Sequence, residues 1–163
     1  MAELNYKDFE TYYSRGRFYA HKGNYDRAIA EFNKAIELNP NYAEAYNNRG
    51  IAFFHKGEYD QAIADYTKAI ELNPKYAEAY NNRGITYFHK GEYDQAIADY
   101  NRAIELNPKY ARAMAILGRV YHLGKGDKKK AEFWYKEALK YKEFLPNQGR
   151  WVEVWLKKLK GKI

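Results

Sequence analysis

The chain has 163 residues, no cysteine, 18% aromatic side chains and a formal charge of +7. That is enough chain to bury a core, and too many aromatics for a disordered segment. A disulfide scaffold and a cysteine-ligated zinc are excluded. No apolar run approaches the ~20 residues needed to cross a bilayer. Residues 1–6, Met-Ala-Glu-Leu-Asn-Tyr, lack the basic and apolar parts of a signal peptide, so the expectation is a soluble, cytoplasmic chain with no membrane partner.

In chain order, residues 9–42 form the first of four units, with Gly16, Gly23, Ala28, Phe32, Ala35 and Pro40 in phase with the later units. Residues 43–76 and 77–110 are near copies at a shift of 34. They differ only at Ala52/Thr86, Phe53/Tyr87, Thr67/Asn101 and Lys68/Arg102. Within each copy a first helix is predicted from about Ala43 to His55, stopped at Lys56-Gly57. A second is predicted from about Tyr59 to Leu72, stopped at Asn73-Pro74, since the residue before proline disfavours the α region. Ala62, Ile63, Tyr66, Ala69 and Ile70 fall at helical spacing. Residues 111–145 follow the template through Gly118, Tyr121, Gly126, Ala131, Tyr135 and Ala138. They run one residue out of phase from Gly126, which places an insertion in the turn between the two helices. Beyond Leu145-Pro146-Asn147, the stripe Trp151, Trp155 and Leu159 predicts a last helix over about 147–160. It reads as a cap over the end of the stack, ahead of a membrane-surface helix. One domain spanning 1–163 and nine helices are expected.

The pattern Tyr46, Gly50, Phe53, Gly57, Tyr59, Ala62, Tyr66, Ala69 and Pro74, recurring every 34 residues, resembles the tetratricopeptide repeat family. The stacking of helix pairs follows from the sequence alone, because one pair cannot bury its apolar face. The resemblance implies the rest: an all-α, right-handed superhelical solenoid of antiparallel helix pairs, with the first helix of each pair lining a concave face.

No catalytic constellation is found, and the chain is expected not to be an enzyme. There is no phosphate-binding glycine loop, and Ser14, the only serine, falls inside the first helix. His21, His55 and His89 stand 34 apart and could pass for metal ligands. Equivalent residues of stacked helices lie on the order of 10 Å apart, whereas a zinc ligand lies about 2 Å from the ion. No metal or cofactor is therefore expected. Arg15, Arg49 and Arg83 precede the repeat glycines, where many tetratricopeptide units carry Leu. Glu31, Asp65 and Asp99 follow sixteen residues later, which predicts a carboxylate bridge between the two helices of each pair.

The resemblance also implies a concave face that binds an extended peptide. Position by position, that face takes Tyr13, Arg17 and His21 from the first unit and Asn47, Asn48, Ile51, Phe54 and His55 from the second. The third gives Asn81, Asn82, Ile85, Phe88 and His89, and the fourth Arg112 and Arg119. A clamp for a C-terminal carboxylate is not expected, because Asn47, Glu78 and Asn82 occupy positions where it needs basic side chains. Asn48 and Asn82 fit an asparagine ladder instead, since an amide offers donors and an acceptor to a peptide group.

Charge divides the chain: residues 1–108 sum to −3 and residues 109–163 to +10. An acidic protein or peptide is the expected partner of the basic end. Nucleic acid is the weaker expectation there, since no base-reading motif accompanies the basic residues. The near-identity of two repeats leaves open an engineered or consensus-built chain, and the opposed charges leave open a homo-oligomer.

Overall fold

The computed structural model describes residues 2–161, with side chains from Asp8 onward. Nine α-helices and no strand occur among the described residues. They are α1 (Ala2–His21), α2 (Tyr25–Leu38), α3 (Ala43–His55), α4 (Tyr59–Leu72), α5 (Ala77–Lys90), α6 (Tyr93–Leu106), α7 (Ala111–Arg119), α8 (Lys128–Leu139) and α9 (Arg150–Leu159). The helices gather into two compact units, 1–86 and 87–163, and the boundary falls within α5.

Local chemistry sets the ends. Gly23, Gly57 and Gly91 follow the first helix of their pairs at φ near +74° to +79°, a conformation that glycine adopts without strain. Asn24 caps α2 by accepting the Arg27 N–H at 3.3 Å, and Asp127 caps α8 by accepting that of Lys130 at 3.0 Å. The asparagine-proline stops have a second cause besides proline. The side chains of Asn39, Asn73 and Asn107 each accept the backbone N–H two residues on, at 3.3, 3.1 and 3.2 Å. Each asparagine thus builds a side-chain turn that competes with another round of helix.

In the first unit α1 packs on α2 and α3 on α4. Alanines 28, 35, 45, 52, 62 and 69 are fully buried, and the glycines admit the large rings. A Cβ on Gly16 would stand 2.6 Å from the Phe32 ring, and one on Gly50 would stand 2.8 Å from Tyr66. Gly50→Ala is therefore expected to lower stability by about 1 kcal/mol, although alanine is the better helix former by a similar amount. Thermal unfolding checks the sign, and a rise in Tm would refute the close approach.

In the second unit α7 packs on α8 and α8 on α9. Gly118 meets Tyr135 in the same way, its would-be Cβ 2.6 Å from the ring. The inserted residue is not in the turn, as its phase suggests. A π-helical turn over Val120–Gly124 extends α7, and Lys125 N–H reaches the Val120 carbonyl at 3.2 Å. A helix absorbs one extra residue as a single π turn and leaves the following glycine turn intact, with Gly126 at φ +68°. The last helix begins at Arg150, later than the expected 147, because Asn147, Gln148 and Gly149 all take positive φ and reverse the chain. Trp151, Val152, Trp155, Leu156 and Leu159 of α9 then pack on Ala131, Tyr135 and Ala138, which is the contact expected of a cap.

Candidate peptide-binding face

In the first unit the predicted face is a row of first-helix side chains. Tyr13 of α1 is half-buried, its ring edge-on to Tyr42 at 5.1 Å, and burial pushes its hydroxyl up to about 12. Asn48 of α3 donates an amide N–H to that hydroxyl at 2.8 Å. One repeat on, Asn82 donates to the Asn47 carbonyl oxygen at 3.1 Å. Each ladder asparagine thus reaches back 35 residues to the preceding first helix, so the ladder is hydrogen-bonded along its own length.

This arrangement separates residues that the sequence places together. Asn48 and Asn82 are half-buried, as are Ile51, Ile85 and Phe54 beside them. Asn47 and Asn81 are buried, each 1% exposed, and serve as supports. Asn47 accepts from Asn82, and Asn81 donates to the Asn82 carbonyl oxygen at 3.4 Å. Asn48 keeps a second N–H and its carbonyl oxygen beyond the bond to Tyr13. Arg17 is exposed, with its guanidinium 5.8 Å from the centre of the Tyr13 ring. His21 is exposed. His55 lies parallel to Tyr25 at 4.9 Å and edge-on to Phe54 at 5.6 Å, so it belongs to an aromatic wall. Among the described residues no three His, Asp or Glu side chains could hold a metal ion.

Behind the row stand the predicted ion pairs. Arg49 grips Asp65 with two parallel bonds, Nε–Oδ2 at 2.8 Å and Nη2–Oδ1 at 2.7 Å, and donates Nη1 to Asn33 at 2.7 Å. Burial pushes the Asp65 carboxyl above its ordinary value, against the pull of Arg49. Arg15 meets Glu31 by one contact of 3.1 Å. Arg83 donates to the Thr67 hydroxyl at 2.9 Å.

In the second unit the predicted residues are Phe88, His89, Arg112 and Arg119. Phe88 is half-buried, and His89 is exposed and edge-on to it at 6.0 Å. Arg112 is exposed and lines a cavity of about 420 Å³ with Lys109, Tyr110 and Phe144. Arg119 lies 5.6 Å from the ring of Phe88 and 5.6 Å from that of Trp155. The same tryptophan ring meets His122 edge-on at 5.6 Å. Burial and the charge of Lys128 hold the His122 imidazole below its ordinary value. By its spacing Trp155 reads only as a capping residue. It sits in the stripe that packs on α8, and nothing in that periodicity signals a second contact with Arg119.

No described helix is long and apolar enough to cross a membrane. Models of the tetratricopeptide repeat match residues 77–110 and 111–144, and a further TPR repeat model matches 16–57 and 50–91. A stretch of 38 residues is 50% identical to uncharacterized protein MJ0572 of Methanocaldococcus jannaschii, covering 23% of this chain and 44% of that protein's length. Among solved structures, MamA is 36% identical with a TM-score of 0.78, over 83% of this chain and 78% of its own. The first TPR of Spaghetti (RPAP3), bound to the HSP90 peptide SRMEEVD, is 28% identical with a TM-score of 0.69, over 71% of this chain and 92% of its own. With repeat models matching from residue 16 to residue 144 and the helix pairs in place, the chain belongs to the tetratricopeptide repeat family.

Proposed function

We propose that this chain is a non-enzymatic protein-interaction scaffold that takes an extended peptide segment across the first-helix row of its first unit. The observation that carries the reading is the pair of half-buried amides, Asn48 and Asn82, each anchored at one end and flanked by Ile51, Phe54 and Ile85. Anchored amides are already ordered, so engaging a peptide backbone costs them little further side-chain entropy. The half-buried apolar side chains beside them offer contact to alternate side chains of an extended strand. The solved relative holding an HSP90 peptide supports a peptide partner in kind. The basic second unit favours an acidic partner.

The test is selection of binders from a displayed library of random short peptides, followed by affinity measurement in solution. The variant Asn48→Ala/Asn82→Ala is expected to bind the selected peptides about tenfold more weakly, the loss of one to two hydrogen bonds. Circular dichroism should show unchanged helix content. Undiminished affinity would refute the ladder as the contact surface.

A further inference from the structure

We propose that Arg119 is the receptor for a carboxylate of a bound acidic peptide, its guanidinium presented between the rings of Phe88 and Trp155. The inference takes from the proposed function only that the ligand is a peptide. The site itself lies in the second unit.

Arginine in the first unit shows what this fold does with a structural guanidinium. Arg49 has its carboxylate at 2.7 Å and Arg15 has one at 3.1 Å. Arg119 is half-buried like Arg49, yet among the described residues no carboxylate pairs with it and its Nε–H is buried without a hydrogen-bond partner. Two aromatic faces at 5.6 Å hold the cation in place but satisfy none of its five N–H groups. Acids of this unit pair elsewhere, Glu105 with Arg102 and others with lysines. Glu92 pairs with Lys90, Asp94 with Lys125, Glu132 with Lys136 and Lys160, and Glu137 with Lys140.

Other polar atoms of this unit are buried and unpaired as well. The hydroxyls of Tyr100 and Tyr135 are fully buried without a partner, and the charge of Arg119 acts on both. His122 Nδ1, one turn along from Arg119 and against the same Trp155 ring, is also buried and unpaired. A carboxylate accepts from a guanidinium through two parallel bonds, the geometry best matched to this planar fork. The two rings beside it lower the local dielectric and strengthen that attraction. The π turn directly after Arg119 marks where the fourth unit departs from the template, and such turns concentrate at functional positions.

Peptides selected on the wild-type chain supply the probe, each synthesised with its acidic residues as Glu or Gln and with its C-terminus free or amidated. Binding of the acidic form is expected to shift the Arg119 Nε–H NMR resonance, identified by its absence in Arg119→Lys. Arg119→Gln and the peptide Glu→Gln change should each weaken binding about tenfold, and together no more than either alone. If amidation alone removes the effect, the carboxylate is the peptide's terminus; if Glu→Gln removes it, the carboxylate is a side chain. Both outcomes support the site. Selected peptides that leave the Arg119 resonance unmoved and bind Arg119→Gln undiminished overturn this inference and leave the first-unit reading standing. A library that yields no binder overturns both. The resonance is read on the intact wild-type chain, so a variant that folds poorly does not blunt the test.

Discussion

Asp65→Ala is expected to destabilise the first unit by about 3 kcal/mol, the penalty of leaving a largely buried cation without its partner. Arg49 spends Nε and Nη2 on Asp65 and Nη1 on Asn33, with its guanidinium 5.5 Å from the centre of the Tyr46 ring. The paired side chains are only 20% and 8% exposed, so water is a poor replacement for the lost acceptor. The pair itself contributes much less than that loss, because both ions were taken out of water to form it. The double variant Arg49→Leu/Asp65→Ala should therefore recover most of the stability, all the more because leucine is the commoner side chain at this point of tetratricopeptide units. Glu31→Ala provides the contrast. Arg15 is 52% exposed and makes a single 3.1 Å contact, so about 1 kcal/mol or less is expected. Urea unfolding, followed by circular dichroism and by tyrosine fluorescence, measures all three. Equal losses for Asp65→Ala and Glu31→Ala, or a double variant no better than Asp65→Ala alone, would refute the account.

The helix pairs are legible in the sequence because each rests on a residue whose physics is local. Glycine ends the first helix through a positive φ, and the residue before proline ends the second. The Arg–carboxylate pairing is legible at Arg15 and Arg49 because a fixed spacing of sixteen joins the same two helices in both repeats. Where the sequence misleads, the deciding contact is not local. Phase shows that the fourth unit has one residue too many, but not whether a turn or a helix absorbs it; the π turn at Val120–Gly124 does. Asn47 and Asn48 are adjacent amides on one helix, and only the packing of the neighbouring first helices makes one a buried acceptor and the other a half-buried donor. Trp155 reaches Arg119 from a helix that joins the second unit through a reversed segment, a route no periodicity describes.

The same tyrosine, copied one repeat on, offers the sharpest internal comparison. Tyr66 and Tyr100 occupy equivalent positions, both fully buried, and burial pushes both hydroxyls far above the ordinary tyrosine value. Tyr66 is hydrogen-bonded with the Thr86 hydroxyl, which in turn donates to the Asn82 carbonyl at 2.9 Å. The position equivalent to Thr86 in the next repeat is Val120, which brings no hydroxyl, and the Tyr100 hydroxyl has no partner. Tyr66→Phe should then lower stability by about 1 kcal/mol, a typical net hydrogen bond. Tyr100→Phe should raise it by about 1 kcal/mol, since it removes a polar atom desolvated without compensation. Chemical denaturation of the two variants beside the wild type reads the opposite signs directly. Thr86→Val supplies the control, because it strands Tyr66 as Tyr100 is stranded. It should destabilise the wild type, while Tyr66→Phe made in the Thr86→Val background should restore part of the loss. If both tyrosine variants instead lose the same amount, a buried water satisfies Tyr100 and its hydroxyl is part of the packed core.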